Sequence, residues 1–257
     1  MSNENKSIHE FDFNLICDYF SSLNRQVILS KEVTLKALSF IDNLSEKSVI
    51  ADIGCGTGGQ TLVLAQHTQA KISAIDLFPT FIDKLNQSTV ALNLQNRVRG
   101  IVGSMDQLQF ADNELDLLWS EGAIYNIGFE RGINEWRKFI KTGGYLAVSE
   151  ASWFTETRPT EIEAFWNTAY PEIDTIANKV LQMQKAGYVP VATFILPEYC
   201  WIDNFYLPQI ATQEAFLKKY AGNKNVEDFI ANERNEMQLY YKHKAHYGYV
   251  FYIGKKL

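Results

Sequence analysis

Val49-Ile50-Ala51-Asp52-Ile53-Gly54-Cys55-Gly56-Thr57-Gly58-Gly59 carries the strongest structural signal in the chain. A short, mostly apolar run ends at a cluster of glycines, which predicts a buried strand entering a tight turn, with a helix following from Thr57 to His67. The glycines permit backbone angles closed to other residues and let a ligand approach without a Cβ in the way. Gly54, Gly56 and Gly59 satisfy the spacing of dinucleotide-binding turns, a weak signal taken alone, and an ordinary strand-to-helix turn is the bland alternative. Asp52 discriminates, because a carboxylate at that strand end repels a pyrophosphate and attracts a cation.

Downstream the pattern alternates. Strands are predicted at Lys71 to Asp76, Val98 to Val102, Leu115 to Ser120 and Tyr145 to Glu150, with helices at Pro79 to Leu94 and Glu130 to Lys141 between them and a turn at Gly143-Gly144. Such alternation implies a parallel sheet with helices on both faces. Upstream, Ile16, Tyr19, Phe20 and Leu23 fall on one face of an amphipathic helix opposite Asn14, Asp18 and Ser22, and a second helix is predicted from Lys31 to Leu44. Beyond Glu150 the sequence is rich in helical and aromatic segments, with a strand at Val189 to Leu196, two helices between Pro208 and His246, and a closing strand from Tyr247 to Ile253.

Acids recur at the ends of the predicted strands. Asp76 stands 22 positions beyond Gly54, near the offset of about 20 at which a carboxylate takes the hydroxyls of a ribose. Gly103-Ser104-Met105-Asp106 follows the third strand, where Asp106 can accept from an adenine amino group while Met105 or Leu77 packs on the ring. Together with Trp119 to Gly122, these segments resemble the ordered motifs of class I methyltransferases that use S-adenosylmethionine, and the resemblance spans Val49 to Glu150. It implies a single α/β domain over 1–257, a doubly wound and mostly parallel seven-stranded sheet with a terminal antiparallel strand. Residues 1–30 would form a helical cap, and 151–186 with 201–246 helical insertions making a lid. It also implies cofactor contacts from Asp52, Gly54, Cys55 and Gly56 near the methionine part, Asp76 and Leu77 at the ribose and adenine, Ser104, Met105 and Asp106 around adenine, and Glu121 with Gly122 beside the donor methyl.

Net charge of −6 and a pI near 5.3 give no long-range attraction for phosphate backbones. Ser120-Glu121-Gly122-Ala123 also lacks the Asn/Asp-Pro-Pro-aromatic pattern of base-modifying enzymes, so a small-molecule acceptor is expected rather than nucleic acid. Cys17, Cys55 and Cys200 lack ligand-like spacing, which supports neither disulfides nor a metal site and fits a reducing cytoplasm. The first residues lack the basic start and apolar run of a signal peptide, and no apolar run is long enough to span a bilayer. A homodimer is compatible with all of this.

Methyl transfer from an activated sulfonium chiefly requires an acceptor held in line and water kept out. An acceptor that sheds a proton needs a base, for which Glu121 is the candidate by position, against the blander role of a structural hydrogen bond. Aromatic residues of the cap and insertions are the natural pocket walls: Tyr19, Tyr125, Trp153 and Trp201 first, with Trp166 and Tyr206 beside them. His9 lies in a segment able to fold over the site, His67 suits a helix end, and His243 and His246 read as a solvated face beside Lys242 and Lys244. Two other classes share the glycine turn: a nicotinamide-dependent oxidoreductase, and a protein that binds an adenosyl ligand without catalysis.

Overall fold

The computed structural model describes residues 13–21, 23, 28 and 30–257; His9 and Ser22 lie outside them. Strands β1 (Val49–Ile53), β2 (Lys71–Asp76), β3 (Val98–Val102), β4 (Leu115–Glu121), β5 (Ile140–Trp153), β6 (Asp174–Thr175), β7 (Tyr188–Ile195) and β8 (Tyr247–Lys256) form one sheet. Its order is β3-β2-β1-β4-β5-β8-β7. The first five strands pair in parallel, and β8 lies antiparallel between β5 and β7. Seven strands thus run through the sheet as expected, and the eighth, β6, is a two-residue bridge from Asp174 and Thr175 to Ser152 and Trp153.

The helices are α1 (Phe13–Ser21), α2 (Lys31–Leu38), α3 (Gly59–His67), α4 (Pro79–Ala91), α5 (Phe129–Trp136), α6 (Thr160–Ala169), α7 (Ile176–Lys185), α8 (Glu198–Trp201), α9 (Leu207–Lys219) and α10 (Lys224–His243). A π-helical turn at Ile202–Tyr206 joins α8 to α9. Alternation along the strands divides the core. On β8, Tyr247, Tyr249, Phe251 and Ile253 enter the cluster around Trp119 and Trp201, whereas Val250 and Tyr252 enter that around Phe129 and Trp136. Side chains of period two buried on both faces are what a helix-covered sheet requires.

The amphipathic N-terminal helix finds its cover far away in sequence. Leu15, Tyr19 and Leu23 pack with Phe216, Val226, Phe229 and Ile230, and the Tyr19 hydroxyl donates to Gln209 Oε1 at 2.7 Å. This places α1 with α9 and α10 as one helical layer.

Several boundaries differ from the sequence reading. α2 stops at Leu38, where Ser39 closes it, and Phe40, Ile41 and Leu44 reach the core from an irregular segment instead. α3 begins at Gly59 because Gly58 takes φ +90°, outside helical space. α5 ends at Trp136, and Ile140 already belongs to β5, which pairs with β8 without a break from Tyr145 to Trp153. His243 is a correction: it is buried, not solvated, because the end of α10 packs on α6 and Glu161 Oε2 accepts from its Nε2 at 2.7 Å. His67, by contrast, closes its own helix end, with Nδ1 2.9 Å from the Val63 carbonyl.

Candidate functional site

The glycine turn is built by the two strands beside it. Gly54 and Cys55 donate to the Ile75 carbonyl at 2.8 and 3.0 Å, which folds the end of β1 back toward β2. Gly56 adopts φ +54° and donates to Asp76 Oδ2 at 2.8 Å, while Phe78 donates to Oδ1 at 3.0 Å. Asp76 therefore clasps the turn and the start of α4 together. Burial raises its carboxyl above the ordinary range against the pull of these backbone donors. A Cβ on Gly54 would lie 2.4 Å from Ala123 Cβ and 3.5 Å from Met105 Cε, so this glycine admits the segments after β4 and β3 to one spot.

Around that spot the other expected cofactor residues take different places. Leu77 is half exposed at the end of β2, an apolar surface open to a ligand. Trp136 Nε1 donates to the Met105 carbonyl at 3.1 Å and steadies the loop, in which Asp106 donates from its backbone to Ser104 Oγ at 3.2 Å and pairs with Arg131 at 2.8 Å. Cys55 is buried against Ala74, Ile82 and Leu85. Asp52 is sealed beneath the turn, where Thr61 Oγ1 donates to it at 2.5 Å and Gln60 Nε2 at 3.3 Å. Burial pushes its carboxyl up to about 7 in spite of those bonds. The Asp52 carboxyl thus meets the base of the turn rather than the open edge of the sheet.

Glu121 is likewise engaged. It is fully buried, and accepts from Thr34 Oγ1 at 2.9 Å and from Trp119 Nε1 at 2.8 Å, which ties the end of β4 to α2. Removing one such donor from a buried acceptor costs about 1–3 kcal/mol. Thr34→Val is accordingly expected to lower the unfolding temperature by several degrees, at about 2–4 °C per kcal/mol for a chain of this size; an unchanged melting curve by circular dichroism would remove the clamp. Next in the chain, Gly122 (φ +60°) donates to Ser149 Oγ at 2.8 Å.

Gly122 opens onto a cavity of about 170 Å³. Its walls include Tyr125, Trp166, Tyr170, Trp201, Phe205 and Tyr249, and Glu233 and Glu236 of α10 reach it as well. Of the aromatics expected there, Tyr125 and Trp201 line it. Tyr19 does not, being buried among Phe20, Phe216 and Phe229, and neither does Trp153, which packs on Tyr247 with the Arg158 guanidinium 4.4 Å from its ring. Glu233 and Glu236 escaped the sequence reading. Their signal was present: Ile230, Glu233, Glu236 and Tyr240 recur at helical spacing, which sets two acids in line with the buried Ile230 and Tyr240. A larger, open cleft of about 500 Å³ between Glu130 and Gln182 touches neither the glycine turn nor Gly122. Among the described residues, no group of His, Cys, Asp and Glu is placed to hold a metal, and no helix is long and apolar enough to cross a membrane.

Comparison with known proteins fits this geometry. Residues 51–148 match a family described as a methyltransferase domain. A dimethylglycine N-methyltransferase from Parasynechococcus marenigrum is 25% identical over 133 residues, 51% of this chain and 48% of that protein. The chain spans about half, or less, of the length of the curated relatives it matches. Two solved structures share the fold over nearly the whole chain. One, an S-adenosylmethionine-dependent methyltransferase from Geobacter sulfurreducens in complex with S-adenosylhomocysteine, has a TM-score of 0.82 at 14% identity and covers 96% of this chain and 99% of that one. The other, an S-adenosylmethionine-dependent methyltransferase from Thiobacillus denitrificans in the same kind of complex, has a TM-score of 0.81 at 16% identity and covers 96% and 100%. With the glycine turn near its start and β5 at its close, the segment 51–148 matches a methyltransferase domain, and the chain shares the Rossmann-like α/β fold of those two structures.

Proposed function

We propose that this chain transfers a methyl group from S-adenosylmethionine to a small-molecule acceptor. The observation that carries the reading is the position of the cavity. Gly122 lines it while the adjacent Ala123 packs on Gly54 of the glycine turn, so one short segment after β4 separates a nucleoside groove from an acceptor chamber. The cofactor, when bound, supplies an activated methyl on a positively charged sulfur.

The residues present fit such a group. Asp76 would hold the ribose, Leu77 and Met105 would flank adenine with Ser104 and Asp106 at its edge, and the Gly54–Gly56 turn would receive the methionine part above Asp52. Glu121 and Gly122 would stand beside the methyl, Glu121 fixing the position of its neighbour rather than collecting a proton, since Thr34 and Trp119 already engage it. The helices of 1–30, 151–186 and 201–246 would act as a lid belonging to a single domain. A dry cavity of about 150 Å³ accepts a benzene ring, so a chamber of about 170 Å³ suits an acceptor of similar bulk. That size, the net charge of −6 and a lining without Lys or Arg among the described residues favour a metabolite over a nucleic acid. The three free cysteines suit the cytoplasm.

Calorimetric titration with S-adenosylhomocysteine and, separately, with NAD tests the reading. Saturable binding of the first and none of the second is expected, and tight NAD binding alone would overturn it. Asp76→Ala should weaken S-adenosylhomocysteine by about 1.5–3 kcal/mol, roughly 10- to 150-fold, because the side chain both faces the ribose position and anchors Gly56. Unaltered affinity would dismiss the ribose assignment.

A further inference from the structure

We infer that the chamber beside Gly122 is a cation site, so that the methyl acceptor is an amine whose positive charge is met by Glu233 and Glu236 inside aromatic walls. The inference rests on the methyl-transfer reading for the word acceptor, and on the chamber alone for the word cation.

Two carboxyls project into a space otherwise bounded mainly by rings, and no Lys, Arg or His lines it among the described residues. Glu236 accepts from the Tyr206 hydroxyl at 3.0 Å. Glu233 has no hydrogen bond or ion pair to any described residue, and its principal electrostatic neighbour is Glu236, one turn along the same helix. The nearby cations among the described residues are engaged elsewhere. Arg234 turns to Gln213 and Glu214 at 3.0 and 2.8 Å, and Lys179, 5.4 Å from the Tyr170 ring, donates to the Glu172 carbonyl at 2.9 Å with Glu150 at 3.9 Å. Two adjacent, partly buried acids with no countercharge among the described residues ionise together only at a cost, which an entering positive charge offsets. A small ammonium does so, and the surrounding Tyr and Trp rings attract it further through their quadrupoles. A carboxylate-bearing acceptor would be repelled by the same pair.

The chemistry balances. The ammonium first gives its proton to the Glu233 carboxylate, from which it passes to solvent. The freed nitrogen lone pair then forms the bond to the methyl carbon as the carbon–sulfur bond breaks and its electron pair stays on sulfur, so that the positive charge moves from sulfur to nitrogen. Burial and the Glu236 charge push the Glu233 carboxyl up to about 8, a range suited to taking a proton from an ammonium.

Three probes of nearly one shape but different charge test this on the full chain: choline, its neutral isostere 3,3-dimethylbutan-1-ol, and zwitterionic glycine betaine. Trp166 and Trp201 in the wall provide a fluorescence signal. Choline is expected to saturate at a concentration at least tenfold below either of the others. In the Glu233→Gln/Glu236→Gln double variant, its affinity should fall at least tenfold to that of the isostere, with S-adenosylhomocysteine affinity and the circular dichroism spectrum retained. Equal binding of choline and isostere by the unaltered protein, stronger betaine binding, or no choline binding overturns the inference whether or not the variant folds. A parallel titration with S-adenosylhomocysteine separates the two readings: if it binds while choline shows no preference, only the cation site falls, and if choline is preferred while it fails to bind, only methyl transfer falls.

Discussion

Gly56→Val is expected to abolish S-adenosylhomocysteine binding, weakening it more than about 100-fold, or roughly 2.7 kcal/mol, while the sheet remains folded. Gly56 sits at φ +54°, where a β-branched residue is strained by about 1–3 kcal/mol. The turn can relieve this by leaving the left-handed region, but doing so withdraws the backbone N–H that Asp76 accepts at 2.8 Å. That bond is charge-assisted, and such bonds contribute about 1.5–3 kcal/mol. Binding would then have to restore both the strained angle and the clasp before the ligand found its contacts. The remainder of β1 and α3 depends on packing that the substitution does not touch, so the unfolding temperature should drop by only about 2–4 °C for each kcal/mol of strain that persists. Calorimetry on the variant, with circular dichroism as the check on folding, measures both. Affinity within tenfold of the unaltered chain would mean that the turn is not at the ligand.

The parts of this molecule that were legible in its sequence are those governed by local chemistry. β1, β2 and β3 end where their runs meet Gly or Asp, and nothing distant alters those limits. The start of β5 was not legible, because Lys141, Thr142, Gly143 and Gly144 interrupt the apolar pattern and only pairing with Leu115 draws Ile140 into the sheet. The roles of the acids divide in the same way. Asp76 closes β2, a position its own sequence context shows, whereas the bond from Thr34 to Glu121 spans 87 positions and leaves no local sign. Asp52 offered a local hint in the polar pair Gln60 and Thr61 on the first turns of α3, which reach back to its carboxyl. Pocket aromatics were the least legible. Tyr19 and Trp153 resemble Tyr125 and Trp201 in kind and in sequence context, and only the packing of α1 against α9 and α10, and of Trp153 against Tyr247, separates core from wall.

The unfolding temperature of the ligand-free chain is expected to fall as pH rises from about 5 to about 8.5, by on the order of ten degrees. Asp52, Glu150 and Glu233 are responsible. Burial pushes their carboxyls up to about 7, about 7 and about 8, from ordinary values of 3.8, 4.5 and 4.5. In the unfolded chain all three lose their protons near the ordinary values, whereas the folded chain holds them until neutral pH or above. Between those limits the folded state binds more protons, so the stability they contribute is complete below about 4 and lost as pH climbs through 7 and 8. Each unit of displacement corresponds to about 1.4 kcal/mol. Realising even part of it for three groups gives several kcal/mol, a large share of a total stability of about 5–15 kcal/mol. Lys179, whose ammonium burial lowers, opposes the trend once it titrates. Exposed pairs such as Lys224 with Asp228 contribute little because water screens them. Differential scanning calorimetry across this range should therefore give a descending curve, and the Glu233→Gln/Glu236→Gln variant should flatten its alkaline end. A level or rising profile would mean that these acids are ionised in the folded chain without difficulty, and Glu233 would then have no electrostatic need of a cationic guest.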